Sequence, residues 1–382
     1  MKKKVVIAGG GTGGHLYPGI ALANALMRSD MDIEVTFAGT KQGIESRVLP
    51  RAGFKLKTIL ASGLLGKKGL SRWISWCKLP VGTAQSMCFL IRKRPNLVVG
   101  VGGYASAPMA FSAWLLRIPI LIHEQNVFPG MANKWLGKIA DRIAVSFEES
   151  KRFFPNHKVE TTGNMISEEL CRPREEFPAA SKDPFNILIM GGSQGAHSIN
   201  TAMIDALDHL DNRKNRICIT HQTGEADYEA TRLSYEVKGF SADVRPFIED
   251  MPRHYRKASL VICRSGATTL AEITASGKVS ILIPFPFATH NHQEHNARVI
   301  EAANAGELIL DNEVSGKRLA ESIAQAMDEP EEMKEMEENS YRIGNRDATE
   351  KVRQICIELM GDARRAAGNE KEPKGNYVLS CF

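Results

Sequence analysis

Between Glu45 and Glu124 the sequence has no acidic residue, against 12 Lys and Arg. A solvated face normally mixes both signs, so this stretch expects an anionic partner. The imbalance is wider than that window. Residues 1–163 hold 23 Lys and Arg against 9 Asp and Glu, a net of +14, and residues 164–382 hold 26 against 35, a net of −9. Other absences narrow the class. None of the seven cysteines forms a CxxC pair, so buried, reduced thiols of a cytosolic protein are expected. No uninterrupted apolar run reaches the ~18 residues of a membrane span. The nearest, residues 108–122, is broken by Arg117 and Pro119. The opening "MKKK" leads into a strand and a glycine loop without a cleavage site, so no secretory signal is expected.

What is present is a chain of 382 residues, 43% hydrophobic and 24% charged, the balance of a soluble globular protein with more than one core. Apolar runs alternate with helical stretches throughout, the pattern of a parallel α/β sheet. "KVVIAGGGTGGHLYPGIALANAL" reads as strand, glycine loop and helix, and "FNILIMGGSQGAHSINTAMIDAL" at 185–207 repeats it. Each apolar run is short and continuous, as a strand covered on both faces requires. A third loop, "LVVGVGGYASAPMAFSAWLL", lies at 97–116. Two doubly wound domains facing a cleft are therefore expected, 1–163 and 164–346. A helix at 347–360 should rejoin the first, and a polar tail at 361–382 should be disordered.

The loops exclude some chemistries. "GGGTGG" fits G-x-G-x-x-G, but a nicotinamide-binding unit needs an acid at the end of its second strand. Here that end reads Ala38, Gly39, Thr40. The Walker pattern G-x-x-x-x-G-K-[ST] is also absent. Two readings remain: a tight turn with no ligand, or a helix N-terminus offering unpaired N–H groups to an anion. His290, His292 and His295 invite a zinc site, but no cysteine pair or carboxylate motif accompanies them, and no metal or other cofactor is expected. No aromatic-basic RNA motif or helix-turn-helix accompanies the basic half, which excludes nucleic acid as the expected partner.

Six short motifs occur in order: "GGTGGH", "GVGGYASAP", "HEQN", "GGSQGA", "SGATTLAE" and "HNHQEHNA". Together they closely resemble the MurG family of peptidoglycan glycosyltransferases, over about residues 4–360. The resemblance implies a GT-B fold of two Rossmann-like domains. It implies inverting transfer of N-acetylglucosamine from UDP-N-acetylglucosamine to the muramyl C4 hydroxyl of lipid I, giving lipid II and UDP.

Inversion in one displacement needs a base for the attacking hydroxyl and a holder for the leaving diphosphate. His15, the histidine within a glycine loop, is the candidate base, with Glu124 of "HEQN" the runner-up; a loop-shaping histidine and a structural carboxylate are the alternatives. By the same resemblance Ser193, Gln194 and Gly195 meet the donor diphosphate, Glu272 the ribose, Ile248 the uracil through its backbone, and Gln293, Asn126 and His292 the sugar. Physics alone would place Glu272 at a helix start for the dipole. Thr12, Gly13 and Gly14 are also expected at the donor. Gly11, Gly13, Gly14, Gly102, Gly103 and Tyr104 are expected to cradle the acceptor pyrophosphate. The family pattern "GNPxR" reads "GNMIS" here, with Ser167 in the arginine's place.

Residues 62–82 mix Leu64, Leu65, Leu70, Trp73, Trp76 and Leu79 with Lys67, Lys68, Arg72 and Lys78. Trp and cationic side chains together suit an anionic headgroup region; an ordinary amphipathic core helix is the alternative. Peripheral attachment to the cytoplasmic face of the bacterial inner membrane is expected, with other cell-wall synthesis proteins as further candidate partners. Two rivals stay open. A UDP-sugar epimerase of this architecture would need neither acceptor nor membrane patch, and a nucleotide-sugar sensor would leave His15 idle.

Overall fold

In the computed structural model the described residues are 2–62, 70–172, 184–288 and 291–368, with the side chains of 70–78 and 362–368 excepted. The first half runs β1 (Lys3–Ala8), α1 (Gly13–Met27), β2 (Ile33–Gly39), α2 (Glu45–Arg51), β3 (Leu56–Thr58), α3 (Leu70–Lys93), β4 (Leu97–Gly100), α4 (Ser106–Leu115), β5 (Ile120–Glu124), α5 (Met131–Leu136), β6 (Arg142–Val145) and β7 (Val159–Thr161). The second runs β8 (Phe185–Met190), α6 (His197–His209), β9 (Ile217–Gln222), α7 (Tyr228–Lys238), β10 (Ser241–Arg245), α8 (Met251–Lys257), β11 (Leu260–Cys263), α9 (Ala267–Ala275), β12 (Val279–Leu282), α10 (His292–Ala302), β13 (Gly306–Leu308), α11 (Gly316–Asp328), α12 (Pro330–Ile343) and α13 (Ala348–Gly368).

Two parallel sheets result. Their orders are β3-β2-β1-β4-β5-β6-β7 and β10-β9-β8-β11-β12-β13. Both reverse direction between their first and fourth strands, so each has a crevice at the strands' carboxyl ends, where the glycine loops fall. The short apolar strands are explained by two-sided burial. Val5 and Ile7 pack toward α1 and α13, while Val6 and Ala8 pack toward α3 and α4. In the second sheet Ile187 and Ile189 face α6 and α11, and Leu188 and Met190 face α9. Fully burying one such aliphatic side chain contributes about 1.5–3 kcal/mol.

The chain crosses between the sheets twice. The outward crossing, 162–166, and the return, 344–349, are stitched together. Thr349 Oγ1 accepts from the Ile166 N–H at 3.0 Å and donates to its carbonyl at 2.9 Å, and Asn345 donates to the Thr162 carbonyl at 2.9 Å. After the return, α13 lays Val352, Ile355, Cys356 and Met360 into the first core beside Leu16 and Leu26. Lys3 Nζ donates to the Met360 carbonyl at 2.8 Å. The helix runs to Gly368, eight residues past the end expected at 360; alanine and arginine at 363–367 sustain helix well. Residues 369–382 lie outside the described part.

The thiol expectation also needs correction. Cys263 and Cys356 are buried, but Cys171 and Cys218 are half-buried and Cys88 is exposed on the outer side of α3. All five are free.

Candidate active site

The first crevice is two glycine loops pressed together. A Cβ on Gly9 would collide with the Gly102 carbonyl, and one on Gly103 with the Gly10 backbone. Gly102, at φ +90°, is the floor for the His15 ring, whose Cδ2 would lie 2.6 Å from an added Cβ. "GVGG" after β4 therefore makes room for a histidine presented by α1. His15 Nδ1 pairs with Thr12 Oγ1 at 3.2 Å. Enclosure of the half-buried ring pushes its pKa below the ordinary histidine value, a backbone hydrogen bond with Gly10 opposes this, His292 adds to it and Glu45 opposes it. The ring is thus held neutral, the form that accepts a proton. Beneath it lies buried His123, whose Nδ1 pairs with Gln125 and whose Nε2 pairs with the Gly163 carbonyl; burial pushes it down to about 4.

Glu45 is a residue that sequence reasoning missed. Its fully buried carboxylate accepts from the Gly11 N–H at 2.7 Å and from the Thr40 N–H and hydroxyl at 2.8 Å. The Gly11 N–H is therefore taken by the protein's own anion. Among the described residues no acceptor meets the N–H groups of Thr12, Gly13 or Gly14, which open on the cleft at the start of α1.

Glu124 is 2% exposed. It accepts from the Asn126 N–H at 3.0 Å, the Gly130 N–H at 3.1 Å and Asn133 Nδ2 at 2.8 Å, so it holds the 125–130 loop. Burial raises its pKa and these hydrogen bonds oppose the rise. Asn126 stands half-buried at the carboxyl end of β5. Tyr104, beside Gly102 and Gly103, is exposed.

The second crevice repeats the plan. A Cβ on Gly195 would collide with the Thr223 carbonyl, and one on Gly224 with that of Gln194, so the "GGSQG" loop lies flat on the turn after β9. Gln222 links the parts: its amide donates to the Gly192 carbonyl at 2.9 Å and accepts the Ile248 N–H at 2.8 Å. The backbone N–H of Ile248 is thus not free for a base; among the described residues no donor meets its carbonyl. Ser193 is half-buried and Gln194 exposed, just before α6. Glu272 is half-buried on α9, its Oε2 accepting from the Tyr255 hydroxyl at 3.1 Å, and burial raises it to about 7. Gln293 accepts from the Phe285 N–H through Oε1 at 2.9 Å. His292 opens α10.

The two crevices face each other. Thr268 at the start of α9 donates to the Gly14 carbonyl at 2.9 Å and accepts from Asn164 of the crossing at 3.0 Å. Glu272 is near enough to raise Tyr17 of α1 to about 12, with burial the larger cause. The Phe128 and His295 rings stand 5.1 Å apart across the mouth. Ser167 carries no arginine into this cleft; the neighbouring Glu168 pairs instead with Arg28 at 2.5 Å.

On the outer side of the first domain α3 packs along α4. Phe111 and Trp114 of α4 are 42% and 47% exposed, with ring centroids 5.7 Å apart. Leu79, Val81, Leu115 and Trp135 are exposed as well, and Lys138 lies 4.5 Å over the Trp135 ring. Leu64, Leu65, Lys67 and Lys68 lie outside the described residues, as do the side chains of Leu70, Arg72, Trp73, Trp76 and Lys78. No helix among the described residues is long and apolar enough to cross a membrane.

Two Rossmann-ordered sheets with glycine loops converging on one cleft are the GT-B architecture. Sequence models of the glycosyltransferase family 28 N-terminal and C-terminal domains match residues 5–145 and 186–355. The chain belongs to that family. A relative from Myxococcus xanthus (strain DK1622), 44% identical over 97% of this chain and 96% of its own length, is named UDP-N-acetylglucosamine--N-acetylmuramyl-(pentapeptide) pyrophosphoryl-undecaprenol N-acetylglucosamine transferase. A relative of the same name from Geobacter sulfurreducens (strain ATCC 51573 / DSM 12127 / PCA) is 46% identical over 91% of this chain and 96% of its own. The crystal structure of Acinetobacter baumannii MurG superposes with a TM-score of 0.72 at 28% identity, over 93% of this chain and 99% of that one. UDP-GlcNAc 2-epimerase from Neisseria meningitidis shares the fold alone, at 16% identity and a TM-score of 0.62 over 95% of this chain and all of that one.

Proposed function

We propose that this chain transfers N-acetylglucosamine from UDP-N-acetylglucosamine to the muramyl C4 hydroxyl of the lipid-linked N-acetylmuramyl-pentapeptide, lipid I, yielding lipid II and UDP with inversion. The carrying observation is the near-full-length identity to transferases of that name, 44% over 97% of the chain. In the transfer, neutral His15 takes the proton of the acceptor hydroxyl as its oxygen attacks the donor's anomeric carbon. The bond from that carbon to the diphosphate oxygen breaks, and UDP leaves with the electron pair. The "GGSQG" loop and the start of α6 meet the growing negative charge. The free N–H groups of Thr12, Gly13 and Gly14 suit the acceptor pyrophosphate. Glu272 suits the ribose, because one carboxylate accepts from two adjacent hydroxyls. The free carbonyl of Ile248 suits the uracil N–H. Glu124 then serves by holding the loop that presents Asn126.

The acceptor is lipid-linked, and Phe111, Trp114 and Leu115 of α4, with Leu79 and Val81 of α3, present exposed apolar side chains. Both support peripheral attachment to the cytoplasmic face of the inner membrane. The deciding experiment incubates the full chain with UDP-N-acetylglucosamine, with and without lipid I, and follows UDP. Release that requires lipid I is expected. Release or epimerisation without acceptor would overturn the reading.

A further inference from the structure

Not every glycine around the first loop faces the cleft. A Cβ on Gly10, Gly39 or Gly43 would collide with the Glu45 side chain. These three glycines, drawn from the ends of β1 and β2 and the start of α2, form a socket for one carboxylate. Burying a lone carboxylate is strongly unfavourable unless donors meet it. Here the Gly11 N–H, the Thr40 N–H and the Thr40 hydroxyl do so, all within 2.8 Å. The socket explains Gly10, which no ligand role assigns, and it anchors Gly11 one residue before the N–H groups that open on the cleft.

We propose that Glu45 is a positioning residue for the transfer: its carboxylate holds the first glycine loop, and through it His15, in the geometry that meets the acceptor hydroxyl. This rests on the assignment of His15 as base. Gly11 is fixed by Glu45, Thr12 follows it, and Thr12 Oγ1 holds the His15 ring at 3.2 Å. The loop's anion-binding register is consequently Thr12 to Gly14, because an anion of the protein already occupies Gly11. Charge acts in the same direction. The titratable groups that face His15 are Glu45 from α2, His292 from α10 and His123 from β5; Glu45 raises the pKa of His15 and His292 lowers it. Without the Glu45 charge, His15 would be a weaker base in a looser loop.

The test uses the full-length Glu45→Gln variant, which keeps side-chain size but removes the charge and sets an N–H against the Gly11 N–H. Histidine-labelled protein is titrated by NMR, the His15 signal being the one lost in His15→Ala. Kinetics are measured with UDP-N-acetylglucosamine and lipid I. The folded variant should show the His15 midpoint at lower pH, kcat reduced on the order of 10²-fold through misplacement, and donor KM unchanged. An unmoved His15 midpoint, or wild-type kcat, overturns the proposal. The titration needs no turnover, so it stands apart from any failure of the transferase assignment itself. If Glu45→Gln does not fold, Glu45→Asp retains the charge and withdraws it by one methylene. Reduced kcat with a wild-type His15 midpoint is then expected, and wild-type kcat overturns the proposal.

Discussion

Pro18 and Thr268 meet at one carbonyl. Pro18 stands four residues after Gly14 in α1 and has no N–H, so the Gly14 carbonyl lacks its helical donor. The Thr268 hydroxyl, from the other domain, donates to it at 2.9 Å. A defect in one helix has become a bond between domains, at the point where the first glycine loop begins its helix. Asn164 completes the bridge through Nδ2, and its Oδ1 meets no donor among the described residues.

Thr268→Val should weaken this bridge. The Gly14 carbonyl and Asn164 both lose a partner, at about 1 kcal/mol or somewhat more for each buried group. Urea unfolding should report the loss. In a Pro18→Ala background, where α1 regains an N–H for Gly14, the same substitution should cost less. Equal costs in the two backgrounds would remove Pro18 from the account.

His15→Ala should lower kcat by about 10²–10⁴-fold while UDP-sugar affinity, measured calorimetrically, stays constant. Because the His15 pKa is lowered, wild-type kcat at saturating donor should persist to a pH below the ordinary histidine value before it falls. Near-normal kcat in a folded His15→Ala protein would place the base elsewhere.

Glu272 titrates at about 7, raised by burial. The ionised form, proposed to accept both ribose hydroxyls, appears as pH rises through that value. Donor affinity should therefore increase about tenfold from pH 6 to pH 8, the change in the ionised fraction. Glu272→Gln should bind donor more weakly and without this dependence. A pH-dependent Glu272→Gln would assign the effect to another group.

His221 is buried between Tyr235 and Asn200 and lowered to about 3, chiefly by burial. Unfolded histidine binds its proton near ~6.5, so stability held above that pH is lost as pH falls toward the folded value. Between pH 7 and pH 5 this residue alone removes about 2 kcal/mol. Glu272, with its raised pKa, acts in the opposite sense over the same window. The comparison is therefore between proteins: His221→Asn should lose about 2 kcal/mol less than wild type across this range. Parallel slopes in denaturant unfolding would refute it.

Phe111→Ser combined with Trp114→Ala removes two half-exposed rings and should leave the fold intact. Sedimentation with anionic vesicles should fall, and wild-type binding should weaken with salt, since charge is screened over about 8–10 Å. Binding that ignores both the substitutions and vesicle charge would leave the face without a membrane role.

The sheets were legible because two-sided burial writes continuous apolar runs such as Val5–Ala8 and Ile187–Met190. The crevices were legible because tight loops need glycine. Glu45 was not, because nothing near "GGGTGG" announces that a carboxylate 34 residues after Gly11 returns to it over the top of β2. Thr268 and Asn164 were equally silent, since a short polar side chain in an apolar stretch does not name its partner. Which backbone group Ile248 offers was not legible either, because only the position of Gln222 takes its N–H and leaves the carbonyl. Ser167 was legible as a departure, but the pair that its neighbour Glu168 makes with Arg28 required the fold.

The return of α13 has a consequence for synthesis. The second domain is one uninterrupted stretch of chain, whereas the first receives Val352, Ile355, Cys356 and Met360 only from the last helix. Domains usually complete in the order in which they leave the ribosome. Here the domain begun first is finished last, and the face of Leu16 and Leu26 stays uncovered until the second domain has emerged. A nascent chain stalled before residue 348 would carry a finished second domain attached to an open first one. That window exposes apolar surface, and it closes only when the final helix docks.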